Sequence, residues 1–195
     1  SDGFLIDTQA IAVTVSNVAE ANNPPAITSN GGNATAAISV AENTTAITTV
    51  TATDPDGDPL SYSLTGGSDQ SKCQINATTG ALSFIAAPNF EAPAAAGGGN
   101  VYDVIVTVSD GSSTDAQQIA VTVTDVNEAP TITSNGAGAT ASVAVAENTT
   151  TVTTVTATDP DAGASIAYSL AGGADAALFT IDAGSGALSF LAAPD

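Results

Sequence analysis

The carboxylates are the side chains of this sequence with chemistry to offer, and their places are ordered. Of the five glutamates, Glu42 and Glu147 each stand inside Val-Ala-Glu-Asn-Thr-Thr, Glu20 and Glu128 occupy equivalent places in two connecting stretches, and Glu91 lies in Asn89-Phe90-Glu91. Aspartates pair off in the same way: Asp54 with Asp159, Asp56 with Asp161, Asp2 with Asp110. Against them stand one cation, Lys72, and no His, for a net charge of −19. So acidic a balance either keeps a chain soluble or calls for cations from solution. The distribution of the acids favours cations. Their pairing shows descent by duplication, so only the residue types argue for chemistry. A second reading stays open for each motif alone. Asp-Pro-Asp-Gly is a common turn, in which Asp accepts from its own backbone and Gly takes positive φ, and Glu42-Asn43 suits an ordinary loop end.

The same composition excludes other functions. Phosphate contacts require Lys and Arg, so nucleic-acid binding is not expected, and neither is attraction to an anionic membrane. No run of about 18 apolar residues is present to insert in a bilayer. No enzyme is expected: no Ser has a plausible base, no phosphate loop follows a strand, and nothing suggests a cleft holding a carboxylate pair. Cys73 is the single cysteine, so no disulfide framework exists within the chain. It aligns with Phe179, which reads as a small core residue, the alternative being a reactive thiol. Asn33-Ala34-Thr35, Asn43-Thr44-Thr45, Asn76-Ala77-Thr78 and Asn148-Thr149-Thr150 match the N-glycosylation acceptor pattern, which a Thr-rich chain produces by chance.

The elements that must position these acids come from a repeat. Ser29-Asn30-Gly31 through Thr53-Asp54-Pro55-Asp56 is re-read 105 positions later, from Ser134 to Asp161, and Ser1 through Val15 is re-read 108 positions later, from Ser109 to Val123. A period near 100 residues is the size of a small domain. The expected organisation is the last strand of a preceding unit over 1–18, a linker over 19–25, a complete unit over 26–126, a linker over 127–130, and the first five strands of a following unit over 131–195. Within the complete unit, apolar residues alternate with polar ones in short runs: Ala37–Val40, Ile47–Thr53, Leu60–Leu64, a short run at Ile75, Leu82–Phe84, Val101–Val108 and Ile119–Val123. Breakers separate them, among them Asn30-Gly31-Gly32, Gly66-Gly67, Thr79-Gly80 and Asp110-Gly111. Seven short strands in about 100 residues predict an all-β fold of tandem seven-stranded Greek-key β-sandwiches. Residues 92–100, Ala-Pro-Ala-Ala-Ala-Gly-Gly-Gly-Asn, read as a flexible surface loop.

Taken together, Val-Ala-Glu-Asn at 40–43 and 145–148, the Asp-Pro-Asp pairs, Asn89-Phe90-Glu91, Asp110 after Val-Ser, and Asp125-Val126-Asn127-Glu128-Ala129-Pro130 resemble the cadherin repeat in its bacterial cadherin-like form. That resemblance implies Ca²⁺ at each junction between consecutive units. At the second junction it implies Glu42 and Glu91 from the upper unit, Asp125 and Asn127 from the linker, and Asp159 and Asp161 from the lower unit. At the first it implies Asp54, Asp56 and Asp110, with a weakened linker in which Asn17-Val18-Ala19-Glu20 stands for Asp125-Val126-Asn127-Glu128. The function it implies is a calcium-rigidified spacer or filament segment of a bacterial cell-surface or extracellular protein, supporting adhesion. Its partners would be neighbouring repeats of the same chain, and like chains or surface glycans. The alternatives are an adhesive or self-assembling module of an appendage and a non-catalytic domain of a secreted enzyme.

Overall fold

The computed structural model describes residues 3, 8–15 and 20–195. Nine strands build the complete unit: β1 (Ala26–Ile27), β2 (Thr35–Ala41), β3 (Ala46–Thr49), β4 (Ala52–Thr53), β5 (Ser61–Gly66), β6 (Cys73–Ile75), β7 (Ala81–Phe84), β8 (Val101–Ser109) and β9 (Thr114–Thr124). A four-stranded sheet, β2-β9-β8-β5, faces a three-stranded sheet, β3-β7-β6, and β1 and β4 form a small ladder of their own. All pairings are antiparallel except that of β2 with β9, which is parallel. This is the Greek-key sandwich the alternation predicts.

The pleat explains which residues face inward. Successive strand side chains point to opposite faces, and along β8 the buried residues are Tyr102, Val104, Val106 and Val108, along β9 Gln117, Ile119, Val121 and Val123. They meet Val50, Cys73, Leu82 and Phe84 of the opposite side. Phe84 and Tyr102 pack edge to face, ring centroids 5.0 Å apart. Cys73 lies in this core, as its alignment with Phe179 implies, and burial, with the nearby Asp69 charge, pushes its thiol up to about 11.

Three details differ from expectation. The strand expected over 47–53 breaks at Val50–Thr51, because its first half pairs with β7 and its second with β1, so the chain passes from one ladder to the other. A strand also forms at Ala26–Ile27. Residues 92–100 are irregular but pinned rather than free. Ala95 is buried, the Ala96 N–H donates to Asp69 Oδ1 (2.7 Å), and the Ala94 N–H donates to the Tyr102 hydroxyl (3.3 Å). The cause is Asp69, a fully buried carboxylate that also accepts the Asp103 N–H (3.1 Å) and the Ser68 hydroxyl proton; a buried charge must be met by donors, and the loop supplies one.

Beyond the linker, β10 (Thr131–Ile132), β11 (Thr151–Thr154), β12 (Ala157–Thr158), β13 (Phe179–Ile181) and β14 (Ala187–Phe190) repeat β1, β3, β4, β6 and β7 with matching pairings. The turns repeat too. Gly80 (φ 69°) and Gly186 (φ 72°) each press on a backbone carbonyl just past β3 or β11, that of Val50 or Val155, where a Cβ has no room. Segments 140–146 and 167–172, which copy β2 and β5, form no ladder, so two of the five strands expected in 131–195 are missing. In the complete unit these strands pair with β9 and β8, and no such partner pairs with either segment among the described residues. Residues 8–15 likewise pair with nothing among the described residues, and the rest of the stretch expected as a preceding strand (1, 2, 4–7 and 16–18) lies outside them.

Candidate metal centre

The acids gather where the complete unit meets the linker and the unit after it. Glu42 follows β2 directly, at a turn in which Asn43 takes φ 60°, and Asn148 repeats that turn with the same φ. Glu42 is 1% exposed. Both of its oxygens are used: Oε2 accepts the Phe90 N–H (2.7 Å) and Oε1 accepts the Val126 N–H (2.9 Å). Glu42 thereby ties β2 to the 88–91 loop and to the linker. Around it, carboxylate oxygens of Glu42, Glu91 and Asp125 lie within 4.8 Å of one another, and a second triplet, Glu91, Glu128 and Asp161, does the same. Glu91 belongs to both, so the five acids form one continuous cluster spanning two units and their linker.

This cluster is short of donors. One oxygen each of Glu91, Glu128 and Asp161 is shielded from solvent and accepts no hydrogen bond. Loss of solvent, then the charges of Glu128, Glu42 and Asp125, pushes the Glu91 carboxyl above its ordinary range. Asp125 is raised by loss of solvent, then by Asp161 and Glu42. The donors present fix geometry instead: the Asn43 amide donates to Glu128 Oε1 (2.8 Å), the Glu128 N–H to Asp161 Oδ2 (2.8 Å), and the Asp161 N–H to Asp159 Oδ1 (2.9 Å). Asn127 and Asp125 line a small open cavity with Asp161 and residues 162–164. Oxygens alone, charged, converging and partly unpartnered, fit a hard cation such as Ca²⁺, which takes six to eight oxygen ligands.

At the start of the complete unit, Asp54, Asp56 and Asp58 form a third triplet. The turn reading holds here as well, since Asp54 Oδ1 accepts the N–H groups of Asp56 (2.9 Å) and Asp58 (3.2 Å) while Gly57 takes φ 79°. Asp54 Oδ2 is left without a partner. The two readings are compatible, because the turn aims the carboxylates it uses. Asp56 accepts from the Asn23 backbone (2.6 Å) and side-chain amide (2.9 Å), which hold its carboxyl below the usual range. Asp110 is lowered by the Ser113 N–H, then by the Asn22 amide and the Ser112 N–H.

These bonds correct the reading of the first linker. The Asn23 N–H meets Asp56 as the Glu128 N–H meets Asp161, and both pairs are offset by 105. Glu20 therefore stands opposite Asp125 and Asn22 opposite Asn127, so the three-residue insertion precedes Glu20. The linker expected to be weakened presents Glu-x-Asn in place of Asp-x-Asn, and Glu20 and Asn22 line a cavity with Asp56 and Asp58 just as Asp125 and Asn127 do with Asp161. Asn17, Val18 and Ala19 lie outside the described residues. Counting back from Pro25 and Pro130, rather than forward from the preceding strand, yields this alignment from sequence. Glu128 and Asp58 were the other acids missed. Glu128 follows the Asp-x-Asn stretch directly, and Asp58 has no copy in the next unit, where Gly163 replaces it.

A profile described as the bacterial Ig domain matches residues 22–124, and the chain belongs to that family. No curated protein matches the sequence. Among solved structures it is similar to mouse cadherin-23 EC22-24 (TM-score 0.55, 23% identity, covering 89% of this chain and 56% of that one). It is also similar to human protocadherin-24 EC1-2 (TM-score 0.56, 22% identity, 90% and 80%) and to human CDH23 EC21-23 (TM-score 0.53, 22% identity, 89% and 55%). The chain thus spans little more than half of the cadherin-23 fragments. At these identities the likeness is one of fold: an Ig-like, cadherin-like β-sandwich.

Proposed function

We propose that this chain is a spacer segment of an extracellular or bacterial cell-surface protein, in which Ca²⁺ at the junctions sets the angle between consecutive sandwiches. At the second junction Glu42, Glu91, Asp125, Glu128 and Asp161 would hold the ion, with Asn127 and Asp159 beside them. At the first, Asp54, Asp56 and Asp110 would do so, with Asp58, Glu20 and Asn22. What carries the reading is the five-carboxylate cluster shared by two units and a linker, with shielded oxygens that no donor meets. Calcium, when bound, supplies the positive charge this cluster lacks.

The chain's own part is to bring the acids together and fix their aim. Like charges a few ångströms apart near a protein surface repel by several kcal/mol, at order of magnitude, so without a cation the linker is pushed away from the units it joins. The Glu42 bonds to Phe90 and Val126 resist that push on the upper side and the Glu128 bond to Asp161 on the lower. Affinity is expected in the range of extracellular modules, about 10⁻⁴–10⁻³ M. The partners in this reading are neighbouring repeats of the same chain, and the module is non-catalytic. Small-angle scattering with calcium and with EDTA tests it. Chelation should broaden the distribution of inter-unit distances while each core stays folded, and an identical profile in both conditions defeats the reading.

A further inference from the structure

The Ser-Asn-Gly triplet of the repeat, at 29–31 and again at 134–136, holds a chemistry that the junctions do not use, for these are the two Asn-Gly pairs of the chain. A glycine after asparagine leaves its own backbone nitrogen unshielded by a side chain. That nitrogen can attack the carboxamide carbon of the asparagine. The attack closes a five-membered succinimide and expels the amide nitrogen as ammonia. One water then opens the ring, giving aspartate when it adds at one carbonyl and isoaspartate when it adds at the other. A water is consumed and an ammonia released, with no change of oxidation state. Asparagine counts among the thermolabile residues for this kind of reason.

The two pairs share one backbone. Asn30 and Asn135 take φ 53° and 51°, and Gly31 and Gly136 take φ 86° and 89°. The Gly32 N–H donates to the Ser29 carbonyl (2.9 Å), as the Ala137 N–H does to that of Ser134 (3.0 Å). The Ser29 hydroxyl accepts the Thr51 N–H and the Ser134 hydroxyl the Thr156 N–H, both at 3.0 Å. The carboxamide oxygens are matched too: Thr48 donates its hydroxyl proton to Asn30 Oδ1 (3.4 Å), and Thr153 to Asn135 Oδ1 (3.1 Å).

The leaving nitrogen is where they part. Asn30 Nδ2 donates to Gln117 Oε1 (3.1 Å). Gln117 is 0% exposed, and its own Nε2 donates to the carbonyls of Asn33 (2.7 Å) and Ser29 (3.4 Å). A buried carboxamide must keep its partners, so Gln117 cannot follow a moving neighbour, and the Asn30 side chain stays turned toward β9. Among the described residues, Asn135 Nδ2 meets only the Ser134 hydroxyl, at 3.5 Å, and Asn135 is exposed. Its carboxamide can swing onto the Gly136 nitrogen, and water reaches the ring that forms.

We propose that Asn135 is a site of spontaneous deamidation through a succinimide, and that Gln117 guards Asn30 against the same reaction. The product adds one negative charge to the −19 of the chain. As isoaspartate it also lengthens the main chain inside the turn that holds Thr156. Neither calcium nor the spacer reading is needed.

Ageing the whole chain in warm, mildly alkaline buffer tests it, with peptic digestion in acid and mass spectrometry of the fragments. Asn135 should exchange its carboxamide for a carboxylate at least about tenfold faster than Asn30, the worth of one net hydrogen bond. Gln117→Leu, its fold checked by circular dichroism, should bring Asn30 up toward the rate of Asn135. Should that variant not fold, the wild type decides alone: in denaturant the two rates should converge, because Thr-Ser-Asn-Gly precedes the reacting bond in both copies. No conversion at Asn135, equal rates in the native chain, or a difference that persists in denaturant overturns the proposal. A folded Gln117→Leu in which Asn30 reacts as slowly as before overturns the guarding role.

Discussion

Removing the charge of Glu42 separates its two roles. It is 1% exposed and accepts two backbone N–H groups at 2.7 and 2.9 Å, so it braces the fold; it also contributes to the carboxylate triplet with Glu91 and Asp125. A hydrogen bond to a charged group contributes about 1.5–3 kcal/mol. Glu42→Ala forfeits both, but the Val126 N–H can reach water, so about 2–4 kcal/mol is expected. With about 4–8 °C per kcal/mol for a domain of this size, the midpoint should fall by roughly 10–25 °C. Glu42→Gln keeps one acceptor and costs about half as much. Calcium separates bracing from ligation. At about 10 mM calcium and a dissociation constant near 10⁻⁴–10⁻³ M, the wild type should gain about 1.4–2.7 kcal/mol by mass action. Glu42→Gln should gain less than half of that. Thermal melts followed by circular dichroism, in EDTA and in calcium, supply all six midpoints. An equal calcium-induced rise in wild type and Glu42→Gln would refute Glu42 as a ligand. An unchanged midpoint for Glu42→Ala in EDTA would refute its bracing role.

Other outcomes follow from the same geometry. In EDTA, the raised carboxyls of Glu91 and Asp125 take up protons in the folded state before they do in the unfolded one, so stability should rise as pH falls from neutral toward about 4, the unfolded carboxylate range. The lowered Asp56 and Asp110 work the other way: their contribution holds above that range and is lost as pH falls through their folded values. A midpoint maximum in mildly acidic solution, flattened by calcium at neutral pH, is the expected profile, and a monotonic fall from pH 7 downward contradicts it. Gly80→Ala, at φ 69° against the Val50 carbonyl, should cost more than about 2 kcal/mol in denaturant melts. Asp69→Asn should raise hydrogen exchange at Ala96 and Asp103 by about tenfold or more, as their N–H groups lose a charged acceptor. Cys73, buried and with its thiol pushed up to about 11, should resist a thiol reagent in the native state and react on unfolding.

The alternation of apolar residues along 101–108 and 119–123 determined the sandwich, because a half-buried strand admits little else, and the repeat with its matching acids determined where charge would collect. Segment 47–53 shows what such a pattern does not carry: its side chains alternate as one strand, yet its backbone pairs with two different partners, and pairing depends on neighbours far along the chain. Residues 92–100 have the composition of a free loop, and only the folded chain brings the buried Asp69 carboxylate to their N–H groups. The site divides in the same way. Glu42, Glu91, Asp125 and Asp161 were legible from their motifs. The place of Glu128 in the cluster was decided by its backbone bond to Asp161, 33 positions away, and the matching bond of Asn23 to Asp56 selected, from the two countings the sequence allows, the one that sets Glu20 opposite Asp125. Such bonds leave no periodic trace, since a carboxylate that accepts a main-chain N–H places no demand on that donor's side chain.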